Sequence, residues 1–334
     1  MSELSPKGTT SWARFHRRYR RVRGARAGLW LAAALVLVAL GADLLASDLP
    51  LAARVDGTLY LLPCVTRPDA LAGDDNQTLA RRLRAPDWSL ATPVPYGPAA
   101  QHPGGATAVL DAPSRAHWLG TDDRGRDVAA RLLHGTRVAL EVGPLAVALY
   151  LLIGMIVGVG SSLGRRTDLV LGRLIEIGLT FPTLFLLLAI QGLTASASLV
   201  EVGVAIALTQ WPHVARLVRA EALRAAASPH VEAARAVGAS QTRIALAHIA
   251  PLAAAPALVA GAFGVAQAVL VETALTFLGF GVPPPRASWG ELLSQAQAAG
   301  GSWWLLAPPT VAIALTVLAC NLISDGLKGA LEEG

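Results

Sequence analysis

Six blocks of roughly 20 apolar residues, all but one pair separated by arginine-bearing segments, constrain what this chain can fold into more than any other feature. They lie near 28–46, 138–160, 169–192, 197–215, 251–277 and 303–323. A helix rises about 1.5 Å per residue, so each block is long enough to cross a hydrocarbon core about 30 Å thick. No water is present there to satisfy backbone groups, which leaves helices as the natural spanning element. The expected fold class is therefore an all-α polytopic membrane protein with six transmembrane helices. Composition agrees: 53% of the 334 residues are hydrophobic and only 15% charged, against about 25% charged in soluble domains.

Charge orients these blocks. Lys7, Arg14, Arg17, Arg18, Arg20, Arg21, Arg23 and Arg26 precede the first block and place the N-terminus in the cytoplasm by the positive-inside rule. Ala46-Ser47 imitates a cleavage site, yet the basic region and the apolar run are both too long for a signal peptide. Arg165-Arg166 returns the chain to the cytoplasm after the second block. Arg216, Arg219, Arg224, Arg235 and Arg243 do so again, and Lys328 puts the C-terminus on the same side. The division that follows is a cytoplasmic basic tail 1–27, a first transmembrane helix 28–47, an extracytoplasmic loop 48–136 and a five-helix core 137–334 with a cytoplasmic loop 214–250. Both termini are expected on the cytoplasmic side of the membrane.

Several function classes lose support at this stage, an ion-driven secondary transporter remaining as the more remote alternative. A net charge of +5 invites a nucleic-acid reading, but no aromatic-basic groove accompanies the basic run. Cys64 and Cys320 fall in segments of opposite polarity and do not pair. The histidines at 16, 102, 117, 134, 213, 230 and 248 form no HxxxH pair, so no metal site is visible. An intramembrane hydrolase needs a nucleophile-histidine or HExxH arrangement inside a span, and none is present; no catalytic residue is assigned. An ion-driven transporter predicts repeated halves, which are missing. No GxxxxGK[ST] loop cradles a nucleotide phosphate, so the chain is not itself a motor and binds no cofactor of its own.

The 48–136 loop is rich in Pro, Gly, Asp and Arg and reads as mostly irregular, with a hairpin over Arg54–Leu62 turning at Asp56-Gly57. The sequon Asn76-Gln77-Thr78 is attributed to chance. Gly154 and Gly158 form a small-xxx-small step for close helix packing, and Trp303-Trp304 reads as an interfacial anchor. Arg173 and Glu176 share a helix face. Glu141, Glu201 and Glu272 are placed near extracytoplasmic span ends, with Glu272 and Phe277 as candidates for a translocation path.

Between the fourth and fifth blocks the local chemistry changes. Ser228 is placed to cap a helix whose first residue is Pro229, where a missing N–H does no harm. Glu232, Ala233, Ala234 and Arg235 favour that helix, and Gly238 supplies a left-handed stop. Ser240 then caps a second helix leading to Pro251 and the next span. An ordinary loop does not need this bent lever.

Glu232-Ala233-Ala234, then Gly238, then Pro251 resembles the EAA loop of binding-protein-dependent ABC import permeases. His248 matches the peptide-permease branch at a position that is usually aliphatic; Ala250 departs from the usual leucine. His117-Trp118-Leu119-Gly120-Thr121-Asp122-Asp123-Arg124-Gly125-Arg126-Asp127 is similar to the LGTDxxGRD stretch of C-type dipeptide, oligopeptide and nickel permeases. Glu272 to Pro285, with Ser288-Trp289-Gly290, resembles that branch's E-x-x-L-S-F-L-G-x-G-x-x-P-P block, and Asn321 to Leu327 resembles its closing motif. The similarity runs in order over roughly 115–334, and the long first loop looks more like the oligopeptide and microcin-type subgroup.

The resemblance implies an ABC type I importer permease fold. It also implies a B-type permease partner, two ATPase subunits that carry the ATP and Mg, and an extracytoplasmic substrate-binding protein, with lipid around the spans. It places Pro229, Glu232, Ala233, Ala234, Arg235, Gly238, Ser240 and Pro251 at the ATPase contact. It gives Asp122, Asp123, Arg124, Arg126 and Asp127 a place at the extracytoplasmic mouth, bracing it or meeting the binding protein. The cargo implied is peptide; nickel, glutathione and other small solutes are carried by relatives with the same motifs.

Overall fold

The computed structural model describes residues 18–332 apart from 21, 23, 84, 102–108 and 194–197. Most of the basic tail, including Arg14, Arg17, Arg21 and Arg23, lies outside the described residues, as do His16 and His102. The elements used below are α1 (Ala25–Leu40), β1 (Ala52–Val55), β2 (Thr58–Leu61), α2 (Asn76–Arg82), β3 (Trp88–Leu90), α3 (Val128–Gly160), α4 (Arg165–Thr180), α5 (Thr183–Gly192), α6 (Leu199–Ala226), α7 (Pro229–Ala236), α8 (Gln241–Ile244), α9 (Ala250–Phe277), α10 (Trp289–Ala298) and α11 (Trp303–Glu332).

Helix α3 is the spine. It packs along α6 and α9, while α11 lies between α9 and α1. The largest core cluster is drawn from α3, α6 and α9, with Leu187 of α5, Val231 of α7 and Ile244 of α8. Small residues set the closest approach. A Cβ on Gly154 would lie 2.7 Å from Val214 Cγ1, and one on Gly158 would lie 2.5 Å from Val218 Cγ1 and 2.9 Å from the Arg219 nitrogen. The small-xxx-small reading therefore holds, with α6 as the partner. Gly158→Leu is expected to force these helices apart and to lower the detergent-extracted thermal midpoint markedly, because backbone as well as side chain blocks the new group.

The span expectation is met in part. Val128–Leu163, Gln241–Phe277 and Trp303–Leu331 are long and apolar enough to cross a membrane. The block read as one span over 169–192 is instead the pair α4 and α5, bent by 83°. The break falls at Phe181-Pro182, where the residue before proline is pushed to extended backbone. Helix α1 covers 16 residues to Leu40 and breaks at Gly41, and one further helical turn, Ala42–Leu45, carries the run nearly to the predicted Ala46. Helix α6 is long enough but carries Gln210 and His213 in its middle and Arg216, Arg219 and Arg224 beyond. Helix α3 begins at Val128, well before the boundary expected at 137, because Asp127 caps it through Ala130 N–H at 2.8 Å.

The 48–136 segment is more ordered, over its described residues, than its composition suggested. The predicted hairpin is present, with Asp56 and Gly57 both at positive φ (50° and 77°), the geometry of a type I′ turn. A third strand completes an antiparallel sheet in the order β2-β1-β3. The Asp87 carboxylate, just before β3, accepts the N–H groups of Asp56 and Gly57 at 2.9 and 3.3 Å. Inward Ala53 and Val55 cover a small core with Leu49, Cys64, Leu71 and Leu79. Asn76 is buried, its amide donating to the Ser47 and Pro95 carbonyls at 2.9 and 3.2 Å, so this sequon residue serves structure. Cys64 and Cys320 are both free thiols.

Candidate functional site

The bent lever between α6 and α9 has the shape that capping chemistry predicts. Helix α7 ends in a Schellman motif: Ala239 N–H donates to the Ala234 carbonyl at 3.1 Å and Gly238 N–H to the Arg235 carbonyl at 3.0 Å. Gly238 sits at φ 82°, and a Cβ there would meet nothing within 4 Å. Its requirement is conformational rather than steric. Ser240 accepts from Arg243 N–H at 3.3 Å and starts α8 as expected. Ser228 has the extended backbone of a cap, but its hydroxyl donates back to the Ala225 carbonyl instead of capping α7.

Val231 anchors this lever in the main core, with Ala234 and Ala239 packed against it. Glu232, Ala233, Arg235 and Ala236 face outward, and the apolar Val237 at the tip is 85% exposed. Downstream the helix is continuous from α8 into α9 through a π-helical stretch, Ala245–Ile249, immediately before Pro251. Proline lacks an N–H and crowds the preceding turn. The wider i→i+5 spacing accommodates it without ending the helix.

At the opposite end of α3 the LGTDxxGRD stretch divides into inward and outward side chains. Asp123 and Arg124 are exposed, whereas Asp122, Arg126 and Asp127 are buried. Asp122 accepts from Arg126 Nε at 2.7 Å and from the backbone N–H groups of Arg124 and Arg126, both at 2.9 Å. Arg126 also reaches Glu291 at 3.0 Å. Arg131, with its side chain wholly buried, lies 3.4 Å from Asp122, pairs with Glu291 and donates to the Pro98 carbonyl at 2.9 Å. Two guanidinium groups thus share two carboxylates across α3 and α10. Arg131 and Glu291 were not singled out in the sequence; their signal was only proximity to the motifs.

The electrostatics follow from this enclosure. Burial alone would weaken the Arg126 charge, but its hydrogen bond to Asp122 and the charges of Asp122 and Glu291 raise its pKa above the ordinary value. Burial pushes the Asp127 carboxyl up, while the Ala130 N–H and His117, whose Nδ1 is 2.7 Å away, pull it back. Trp304 Nε1 donates to the Thr121 carbonyl at 3.1 Å. Of the Trp303-Trp304 pair, Trp304 is therefore a brace and Trp303 is the exposed member.

Glu272 and Phe277 are not together on an open face. Glu272 is 2% exposed, accepts from Thr276 Oγ1 at 2.8 Å and lies under the Gly279–Pro285 turn. The structure instead opens a cavity of about 400 Å³ deeper in the bundle. Tyr150 of α3, Thr183 of α5, Gln210 and His213 of α6, and Phe263 and Gln267 of α9 line it. Tyr150 fits there because Gly264 has no side chain; a Cβ would fall 1.5 Å from its hydroxyl. Gln267 and His213 are exposed although they lie within helical blocks of spanning composition. Polar side chains at such depth belong on a protein or water interface rather than against lipid.

The sequence is matched by known proteins. Residues 150–334 fit the family model described as "Binding-protein-dependent transport system inner membrane component". The dipeptide transport system permease protein DppC of Alkalihalophilus pseudofirmus is 37% identical over 225 residues, covering 67% of this chain and 74% of its own length. This chain belongs to that permease family.

A further relative, from Brucella suis biovar 1 and named "Putative peptide transport system permease protein", is 39% identical over 231 residues, covering 68% of this chain and 78% of its own. A crystal structure described as an amino acid ABC transporter with histidines aligns with TM-score 0.45 and 21% identity, over 59% of this chain and 90% of that one. At that level of likeness it carries no argument. For a member of this family, a multi-pass inner-membrane protein, the lever of α7 and the enclosed charge cluster sit at opposite ends of α3.

Proposed function

We propose that this chain is the permease subunit of an ATP-driven importer for di- or oligopeptides, with six membrane crossings and both termini in the cytoplasm. In that reading α1 and the bent α4–α5 pair each count as one crossing, and α6 as another. The observation that carries the coupling role is the exposed α7 lever, rigidly tied to the core by Val231 and ended by the Gly238 motif. Glu232, Arg235 and Val237 present a charged and apolar tip to an ATPase subunit. Two such subunits supply ATP and Mg, a B-type permease completes the pore, and an extracytoplasmic binding protein delivers cargo near Asp123 and Arg124. Peptide cargo is supported by the names that the relatives carry; the motifs alone are shared with carriers of nickel and glutathione.

In this account the cavity of Tyr150, Gln210, His213 and Gln267 faces the translocation path, and Glu272 supports its outer end from within the protein. Amide and imidazole groups offer donors and acceptors suited to peptide main chain without a fixed charge that would select one side chain. The test is reconstitution with the partner subunits in vesicles, with ATP-dependent uptake of di- and oligopeptides measured against nickel and glutathione. Peptide uptake that requires ATP is expected; uptake of nickel alone would overturn the cargo, and uptake without the ATPases would overturn the class. Gln210→Leu together with Gln267→Leu is expected to cut peptide uptake about tenfold or more, by removing two amides at roughly 1 kcal/mol each. Wild-type uptake in that variant would move the path elsewhere.

A further inference from the structure

The N-terminal end of α1 is bound tightly to α11. A Cβ on Gly28 would lie 2.7 Å from Leu322 Cβ and 3.1 Å from the Ala319 carbonyl, and one on Gly24 would lie 2.8 Å from Leu322. Tyr19 fills the notch at Gly326 and donates to the Ala25 carbonyl at 3.3 Å, which fixes the basic turn before α1. Between the two helices an open groove of about 760 Å³ remains. Its walls are apolar, including Trp30, Ala33, Ile323 and Leu327, and Arg20 and Arg26 stand at its lining. Trp30 is 78% exposed. Among the described residues neither arginine has a carboxylate or hydrogen-bonding partner.

We propose that this groove is a binding site for one anionic phospholipid of the cytoplasmic leaflet, with an acyl chain along α1 and α11 and its phosphate between Arg20 and Arg26. The long apolar walls exclude a small free anion as the main occupant, because such an ion gains nothing from them. Arg20 and Arg26, without a carboxylate partner among the described residues, favour an anionic over a zwitterionic headgroup, and basic residues just cytoplasmic of a span are attracted to anionic lipid. An indole half out of the groove suits the level of the headgroups. The site uses neither the α7 lever nor the mid-membrane cavity, so it stands whatever the cargo proves to be; only its leaflet depends on the orientation proposed above.

The test is native mass spectrometry of the purified importer complex after equilibration with phosphatidylglycerol or phosphatidylcholine. One phosphatidylglycerol per copy of this chain is expected to survive detergent exchange, with phosphatidylcholine lost. Arg20→Gln with Arg26→Gln is expected to weaken retention roughly tenfold or more. Ala33→Trp, which keeps the charge and fills the groove, is expected to do the same. Both changes lie on the open groove, and assembly with the partner subunits provides the folding control. Equal retention of the two lipids overturns the proposal, as does undiminished retention in Ala33→Trp, which would reduce the arginines to a diffuse charge. High-yield crosslinking from a photoreactive residue at position 30 to the partner permease would also overturn it, by showing that a helix covers the groove.

Discussion

Arg131→Leu is expected to be the most damaging single substitution around the N-terminal end of α3, lowering stability by about 3–5 kcal/mol. The wild-type cluster is balanced: Arg126 and Arg131 face Asp122 and Glu291. Removing one guanidinium leaves the two carboxylates sharing the buried Arg126, with only the half-exposed Arg124 at 4.0 Å from Glu291 beside it, so much of their desolvation cost is unmet. The Pro98 carbonyl also loses its donor. Because total stabilities are commonly about 5–15 kcal/mol, such a loss reaches the level at which the protein fails to accumulate. Arg131→Leu with Glu291→Leu removes one charge of each sign and is expected to recover a substantial part of the loss. Thermal midpoints of the purified single and double variants measure this coupling directly. A midpoint for Arg131→Leu within a degree of wild type would show that the cluster does not hold α3 to α10.

The second large effect is expected at Gly238, and it separates mechanism from stability. A non-glycine residue held at φ 82° costs about 1–2 kcal/mol, and β-branching raises that further. Since open space surrounds the position, the penalty depends on backbone preference rather than on size. Uptake is therefore expected to fall in the order Gly, Asn, Ala, Val at position 238, because Asn tolerates the left-handed region best among the replacements. Gly238→Val is expected to lose at least about tenfold in ATP-dependent uptake. The bundle's thermal midpoint should change less than uptake, since Gly238 itself meets open space and only Ala234 and Ala239 of the Schellman turn touch the edge of the main core. ATP hydrolysis by the partner subunits should persist without matching transport. If uptake instead followed side-chain volume, with Asn worse than Ala, contact at the tip rather than the bend would be the controlling feature.

The α7 lever was legible in sequence because its signals are local. Pro229 at a first turn, Gly238 at a left-handed stop and Ser240 at a cap each act within a few residues. The exception, Ser228, shows the limit of that reasoning: its hydroxyl chose the α6 carbonyl of Ala225 once the preceding helix brought it within reach. The Asp56-Gly57 hairpin was legible for the same local reason. The third strand was not, because β3 is recruited by pairing with β1 across more than thirty intervening residues and by the Asp87 carboxylate.

Sequence by itself determined that lipid is the main solvent, that helices carry the core, and that a bent lever projects between the fourth and fifth apolar blocks. Hydropathy and capping are properties of neighbouring residues and survive without knowledge of the fold. Tertiary structure alone decided which polar residues matter together. Glu272 was the expected path residue, yet it is enclosed, while Gln210 and Gln267 open onto a shared cavity. Asp122 meets Glu291 through two arginines although 168 positions separate the carboxylates in the chain. The physical reason is that burial and charge balance depend on which helix faces meet in space, and no local pattern along α3, α6, α9 or α10 encodes that meeting.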